Sequence, residues 1–258
     1  RKICRYTIND TLPQIPNCKI ALSMGTNRLL TEEESNLIDA FCHANSAVVF
    51  CDHTSGYHGK YQVNLSLASY GNNSIDLMNV DLLIHLGEIS GDYNNVYKLK
   101  PKRVWRLSPD GEIRDLYKKL EAVFDMNIVD FFLRYSSEKK GSDSYINSCN
   151  KEYEQIYSKI PELPFSNLWI AKELSLKLPP RCKLYLGILN SLRSWNFFKL
   201  KNCKDCVSNT GGFGIDGILS SLFGASLCNP NKLYFGVLGD LSFFYDLNSL
   251  GNRHIGNN

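Results

Sequence analysis

Ser208-Asn209-Thr210-Gly211-Gly212-Phe213-Gly214-Ile215-Asp216-Gly217 packs four glycines into ten positions directly ahead of the apolar run Ile218-Leu219-Ser220-Ser221-Leu222-Phe223. A glycine-dense loop that feeds a helix is the makeup of a phosphate-binding turn, because backbone N–H groups can approach an anion where no Cβ intervenes. Read literally, Gly212 to Gly217 is G-x-G-x-x-G, and Asp240 ends the next apolar strand about 20 residues on, the spacing of a dinucleotide fingerprint. Such a fingerprint expects a strong apolar strand before it. Of the residues Cys206 to Gly211, only Val207 is a good strand former. A plain glycine turn with a close helix contact is the remaining reading.

A second motif bears on the choice. The apolar strand Leu233 to Leu238 runs into Gly239-Asp240-Leu241-Ser242-Phe243-Phe244, followed by the amphipathic run Tyr245 to Leu250. A carboxylate at the carboxyl end of a parallel strand, with a helix start directly behind it, suits a diphosphate bridged by a metal. Asp240 is placed to ligate Mg²⁺, and the free N–H groups near Leu241 and Ser242 to meet phosphate oxygens.

Outward from these motifs the chain alternates strand-like and helix-like segments. Lys19 to Gly25, Ala47 to Cys51, Asp81 to Leu86 and Arg103 to Leu107 read as buried strands, and Thr31 followed by three glutamates opens a helix. Helical patterns follow Ser74 and run from Ile113 to Leu133. The polar stretch Ser136 to Asp143 reads as a domain junction. Beyond it come helices near Tyr145 to Lys159 and up to Leu178, the strand Lys183 to Leu189, helix Asn190 to Phe198, the glycine loop, and helix Asp216 to Leu227. The expected class is α/β, as two three-layer α/β/α modules with mainly parallel, Rossmann-like sheets, over residues 1–140 and 141–258.

Composition excludes several classes. With 258 residues, 43% hydrophobic and 21% charged, the chain is globular, and a net charge of +3 without a basic block lacks the footprint of a nucleic-acid binder. Its longest apolar stretches are strand-sized, well short of the roughly 20 residues of a bilayer span. Nine cysteines, an odd count, several in apolar surroundings, fit buried thiols in a reducing, cytoplasmic setting. Cys203-x-x-Cys206 lacks two further zinc ligands at matching spacing. His85 reads as a satisfied core histidine, and Asp52, His53 and His58 as a polar loop.

Together, Ser208 to Gly217 and Gly239-Asp240-Leu241-Ser242-Phe243-Phe244-Tyr245-Asp246-Leu247-Asn248 resemble the diphosphate-binding domain of thiamine diphosphate-dependent enzymes, nearest to the menaquinone-pathway 2-succinyl-5-enolpyruvyl-6-hydroxy-3-cyclohexene-1-carboxylate synthases. The order of segments before residue 140 resembles the middle domain of that superfamily. The resemblance implies thiamine diphosphate and Mg²⁺ as cofactors, with Ser208, Asn209, Gly211, Ile215, Gly239, Leu241 and Ser242 binding the cofactor and Asp240 the metal. Ile215 matches the aliphatic residue that props the cofactor into its bent form, and Arg193 matches an arginine that meets the substrate carboxylate.

The implied reaction is decarboxylation of a 2-oxo acid and transfer of the resulting acyl carbanion, with the small-molecule acid as partner and a homodimer or dimer of dimers as the parent assembly. Two departures set this chain apart: Thr210 stands where the menaquinone enzyme has an arginine, and Leu189 where it has a serine. The family's pyrimidine-binding domain and its glutamate have no counterpart here, so no catalytic residue is assigned. The closing Asn257-Asn258 lacks the preceding strand of the family's Asn-Asn ligand pair. The expectation is a fragment holding the middle domain and part of the diphosphate domain, inactive alone. A non-catalytic Rossmann-like nucleotide-binding module, or one subunit of a split enzyme, is the alternative.

Overall fold

The computed structural model describes residues 2–71, 74–92, 97–211 and 214–255. Gly212 and Phe213 of the glycine loop and the terminal pair Asn257-Asn258 lie outside the described residues. Two compact units emerge, one of residues 1–88 and 93–159, the other of 89–92 and 160–258.

The first unit is built on a seven-stranded, wholly parallel sheet. Its strands are β1 (Cys4–Thr7), β2 (Ile20–Met24), β3 (Val48–Cys51), β4 (Gln62–Asn64), β5 (Asn79–Leu86), β6 (Lys100–Ser108) and β7 (Leu120–Asp125), in the order β1-β7-β6-β5-β2-β3-β4. Strands covered on both faces should be apolar throughout rather than alternating. All five residues of β2 and all four of β3 are buried accordingly. The strand order reverses between β2 and β5, whose residues Ile20 to Met24 and Leu82 to Leu86 pair in register.

Helix α1 (Glu32–Asn45) crosses from β2 to β3 and is fixed at both ends. The Thr31 hydroxyl accepts from the Glu34 N–H at 3.2 Å, and the Glu34 carboxylate accepts from the Thr31 N–H at 2.9 Å, a reciprocal capping box. Arg28 holds the same carboxylate at 2.5 Å. Ile38, Phe41 and Cys42 form its buried stripe.

The stretch Ile113 to Leu133, expected to be helical, instead contains β7 and the shorter helix Ile128–Arg134. β7 has neighbours on both sides, β1 and β6, so its apolar residues Ala122, Val123 and Phe124 are consumed by the sheet. The strands Cys4–Thr7, Gln62–Asn64 and Asp205–Ser208 were not anticipated either.

The break between units falls after Lys159, not at 140. The polar stretch before it is packed rather than loose: the Ser142 N–H donates to Ser46 Oγ at 2.8 Å, and Asp143 accepts from Lys60 at 2.6 Å and from the Tyr61 hydroxyl at 2.7 Å. The helix Ser144–Tyr157 adds Ile146 and Cys149 to the core of the first unit, and the Tyr145 hydroxyl donates to the Leu77 carbonyl at 2.5 Å.

His85 on β5 is a core histidine, as read from sequence. It is 4% exposed, with Nδ1 3.2 Å from Nη1 of the equally buried Arg106. Burial, then the Arg106 charge, pushes its pKa down to about 3, so the ring is neutral and accepts at Nδ1. Asp52 caps the turn His53–Ser55, its carboxylate accepting from the Thr54 N–H at 2.7 Å. Among the described residues no group of three or more His, Cys, Asp or Glu is placed to hold a metal, and no helix is long and apolar enough to cross a membrane.

The second unit carries a three-stranded parallel sheet in the order β10-β8-β9, with β8 (Lys183–Leu186) at its centre, β9 (Asp205–Ser208) and β10 (Tyr234–Val237) at its edges. Leu184 and Leu186 are fully buried. Lys183 and Lys232 close on Asp205 at 3.4 and 2.7 Å, anchoring β9 despite its polar sequence.

Candidate functional site

In a parallel sheet the loops after the carboxyl ends of the strands gather at one edge, where ligands of α/β folds bind. Three such loops meet in the second unit. β8 leads through Gly187, Ile188 and Leu189 into the helix Asn190–Trp195; β9 leads into the glycine loop and the helix Ile218–Cys228; β10 leads through Leu238 and Gly239 into the helix Asp240–Tyr245. They enclose a cavity of about 270 Å³ lined by Ile188, Leu189, Asn209, Ile215, Leu241 and Ser242, among others, with Gly239 at its wall.

Five residues singled out from the sequence, Asn209, Ile215, Gly239, Leu241 and Ser242, therefore share one cavity although they come from two separate motifs. Ile215 is 38% exposed, so it is a wall residue rather than a core isoleucine. The two motifs are tied together: the Ser242 hydroxyl donates to the Ile215 carbonyl at 2.6 Å. Across the glycine loop, Asn209 Nδ2 donates to the Asp216 carbonyl at 3.1 Å. Gly217 begins the following helix at φ +76°, a conformation that a side chain disfavours.

Ser208, Gly211, Asp240 and Arg193 do not line the cavity. Ser208 and Asp240 adjoin wall residues in the chain, and Gly211 lies two residues beyond Asn209. Asp240 is exposed, and its carboxylate accepts from the N–H of Leu241 at 2.8 Å. Arg193 is half-buried on the helix Asn190–Trp195.

Whether these residues suit an anionic cofactor can be judged from two local features. Ser208 Oγ is buried and has no hydrogen-bond partner among the described residues, an arrangement that leaves a donor and acceptor at the end of β9. At Gly211 and Gly239 a Cβ would meet no atom of the described residues within 4 Å apart from its chain neighbours, so little side chain shields the backbone there. Bared backbone beside an unused hydroxyl fits a diphosphate-bearing group, and the aliphatic wall of Ile188, Leu189, Ile215 and Leu241 fits an apolar ring.

In the β8 loop, sequence reading marked only Leu189. Ile188, Asn190, Ser191 and Ile218 also line the cavity, and the signal was a glycine closing an apolar strand, the pattern already noted at Gly239. Leu189 has φ +67° and ψ −115°, backbone that an L-residue other than glycine occupies only under strain.

The first unit has a separate cavity of about 490 Å³ at the carboxyl ends of β2, β5, β6 and β7, lined by residues including Thr26, Arg28, Gly87, Arg106, Ser108 and Asn127. It sits where the strand order reverses.

No protein-family model matches the chain. Among curated proteins, the chain is similar to the 2-succinyl-5-enolpyruvyl-6-hydroxy-3-cyclohexene-1-carboxylate synthase of Bacteroides fragilis, 34% identical over 161 residues, which is 61% of this chain and 28% of the relative. The synthase of the same name from Bacteroides thetaiotaomicron is 32% identical over 157 residues, 60% of this chain and 28% of the relative. That from Flavobacterium psychrophilum matches more of the chain, 86%, at 23% identity over 42% of its own length. The chain thus matches less than a third of the length of the first two relatives. Over the matched stretch, the chain is homologous to the 2-succinyl-5-enolpyruvyl-6-hydroxy-3-cyclohexene-1-carboxylate synthases.

Proposed function

We propose that this chain is part of a thiamine diphosphate- and Mg²⁺-dependent enzyme that decarboxylates a 2-oxo acid and transfers the acyl group, as a transferase related to the menaquinone-pathway synthases. The observation that carries this reading is the convergence of Asn209, Ile215, Gly239, Leu241 and Ser242, drawn from two motifs, on one cavity. Homology to the named synthases supports it independently.

When bound, the cofactor supplies the nucleophilic carbon on which decarboxylation depends. The residues of this chain bind and orient it. Ser208, Asn209, Gly211, Gly239, Leu241 and Ser242 receive the diphosphate, Asp240 the Mg²⁺, and Ile215 supports the ring. Arg193 is assigned to the carboxylate of the 2-oxo acid, for which a guanidinium offers paired donors. Residues 1–88 and 93–159 are assigned to the middle domain, and 89–92 with 160–258 to part of the diphosphate domain. The parent enzyme is proposed to be cytoplasmic and to assemble as a homodimer or dimer of dimers.

Titrating the chain with thiamine diphosphate in the presence and absence of Mg²⁺, followed by tryptophan fluorescence, tests the reading. Saturable, Mg²⁺-dependent binding is expected. Absence of binding at millimolar cofactor overturns it for this chain.

A second reading has one observation in its favour. A strand, β9, does precede the glycine loop and pairs with β8 from Lys183 to Leu186, which removes the sequence argument against a dinucleotide fingerprint. Tight, Mg²⁺-independent binding of NAD would support a nucleotide-binding module instead.

A further inference from the structure

Four residues of the chain depart from the unit in which their neighbours lie. After β5 and the turn at Gly87 and Glu88, Ile89–Asp92 pack with the second unit, the rest of which begins at Ile160. An Ile-Ser-Gly-Asp sequence reads as a surface loop, yet Ser90 and Asp92 are 5% and 1% exposed. A buried carboxylate is costly unless it is hydrogen-bonded. Asn196, with no exposed surface, donates from Nδ2 to Asp92 Oδ2 at 3.2 Å. Ser90 braces the segment internally: its hydroxyl accepts from the Asp92 N–H at 3.0 Å.

Between Ser90 and Asp92, Gly91 permits a close approach. A Cβ there would lie 2.7 Å from Leu192 Cδ2 and 3.5 Å from the Cγ2 atoms of both Ile188 and Thr210. Leu192 is fully buried and has little room to yield. Every one of these neighbours belongs to the framework of the candidate cavity. Ile188 lines it; Leu192 lies on the helix that carries Arg193, and Asn196 caps that helix; Thr210 follows the wall residue Asn209.

We propose that Ile89–Asp92 is a strap built into the candidate site, with Asp92 a positioning residue that acts through Asn196 on the helix Asn190–Trp195. Gly91 sets the spacing of the loops after β8 and β9. The geometry stands on its own; its consequence for a ligand rests on the thiamine diphosphate reading above.

The test compares wild type with Asp92→Ala, which removes the acceptor, and Asp92→Asn, which keeps an acceptor oxygen. Amide hydrogen exchange is followed across the chain, together with thiamine diphosphate affinity at fixed Mg²⁺. In Asp92→Ala, exchange across residues 188–196 is expected to quicken about tenfold while β2 and β5 stay as in wild type, and affinity to fall roughly fivefold. Asp92→Asn should stay within about twofold of wild type in both.

Unchanged exchange in Asp92→Ala overturns the strap. Faster exchange with unchanged affinity overturns the positioning role. Should Asp92→Ala not fold, Gly91→Ala, which presses a methyl against Leu192, reads the same two quantities. A wild-type chain that binds no thiamine diphosphate overturns the cofactor reading, and the exchange pattern still decides the strap.

Discussion

The Ser242 hydroxyl reaches the Ile215 carbonyl at 2.6 Å, joining the helix after Gly239 to the glycine loop that precedes Ile218–Cys228. Ser242 is 8% exposed, so its removal deletes a largely buried bond between the two loops. Ser242→Ala should cost about 1 kcal/mol of stability in urea unfolding and weaken thiamine diphosphate binding, since both cavity walls lose their mutual reference. A variant with unchanged cofactor affinity would separate this bond from the site.

Asp240 is exposed, and its carboxylate accepts from the N–H of its own neighbour Leu241. Asp240→Asn should therefore alter stability by no more than about 0.5 kcal/mol. The Mg²⁺-dependent part of cofactor binding should disappear in the same variant. Titrations with and without Mg²⁺ check this, and retention of the full metal effect would remove Asp240 from the metal site.

Leu189 lines the cavity at φ +67° and ψ −115°. Strain of this kind costs on the order of 1–3 kcal/mol, and glycine would relieve it at an entropic cost of about 0.5–1 kcal/mol. Leu189→Gly is expected to raise stability by about 1 kcal/mol, visible as a higher thermal midpoint. A lower midpoint would mean that the leucine side chain stabilises more than its backbone costs.

His85 ties stability to pH. Its folded pKa is depressed to about 3 by burial and by Arg106, while in the unfolded chain it titrates near 6.5. Between these values the unfolded state binds the proton, so stability falls as pH drops from about 6.5 toward 3 and is fully present above that window. The ceiling is on the order of 5 kcal/mol. His85→Gln, which keeps an acceptor for Arg106, should flatten this limb of a stability–pH profile measured by chemical denaturation.

Thr31 caps the helix Glu32–Asn45 through the Glu34 N–H, in a box that the Glu34 carboxylate completes. Thr31→Ala should cost about 1 kcal/mol. The measurement is the urea midpoint, with Thr31→Ser as the variant that keeps the acceptor and loses little.

What could be read from the sequence followed the strength of local signals. The helix after Thr31 announced itself by its cap and its acids, and β2, β3 and β5 by continuous apolar runs that only a doubly covered sheet explains. β7 was hidden because Ile113, Tyr117, Leu120 and Phe124 fall at spacings that a helix would also use; its strand state comes from pairing with β1 and β6, which local sequence does not carry. β9 was hidden for the opposite reason, since Asp205, Cys206 and Ser208 have little strand propensity and the neighbours Lys183 and Lys232 hold Asp205 in place. The stretch before Ser144 looked like a linker by composition, but the Ser142 N–H is engaged with Ser46, and Asp143 with Lys60 and Tyr61. The cavity was half legible: glycines and an acid marked two of its loops, while the β8 loop showed itself only at Leu189, its other lining residues carrying too little chemistry to stand out.

The nine cysteines are all free thiols, six of them buried, Cys4 and Cys18 half-buried, and Cys228 exposed at the end of the helix Ile218–Cys228. Burial slows a thiol's reaction with alkylating reagents as well as protecting it from oxidation. The native chain thus offers one preferred attachment point for a maleimide dye without any cysteine having to be removed, on the helix that starts at the glycine loop. A reporter placed there would report on ligand binding at the helix by fluorescence, and would turn the cofactor question into a direct optical titration.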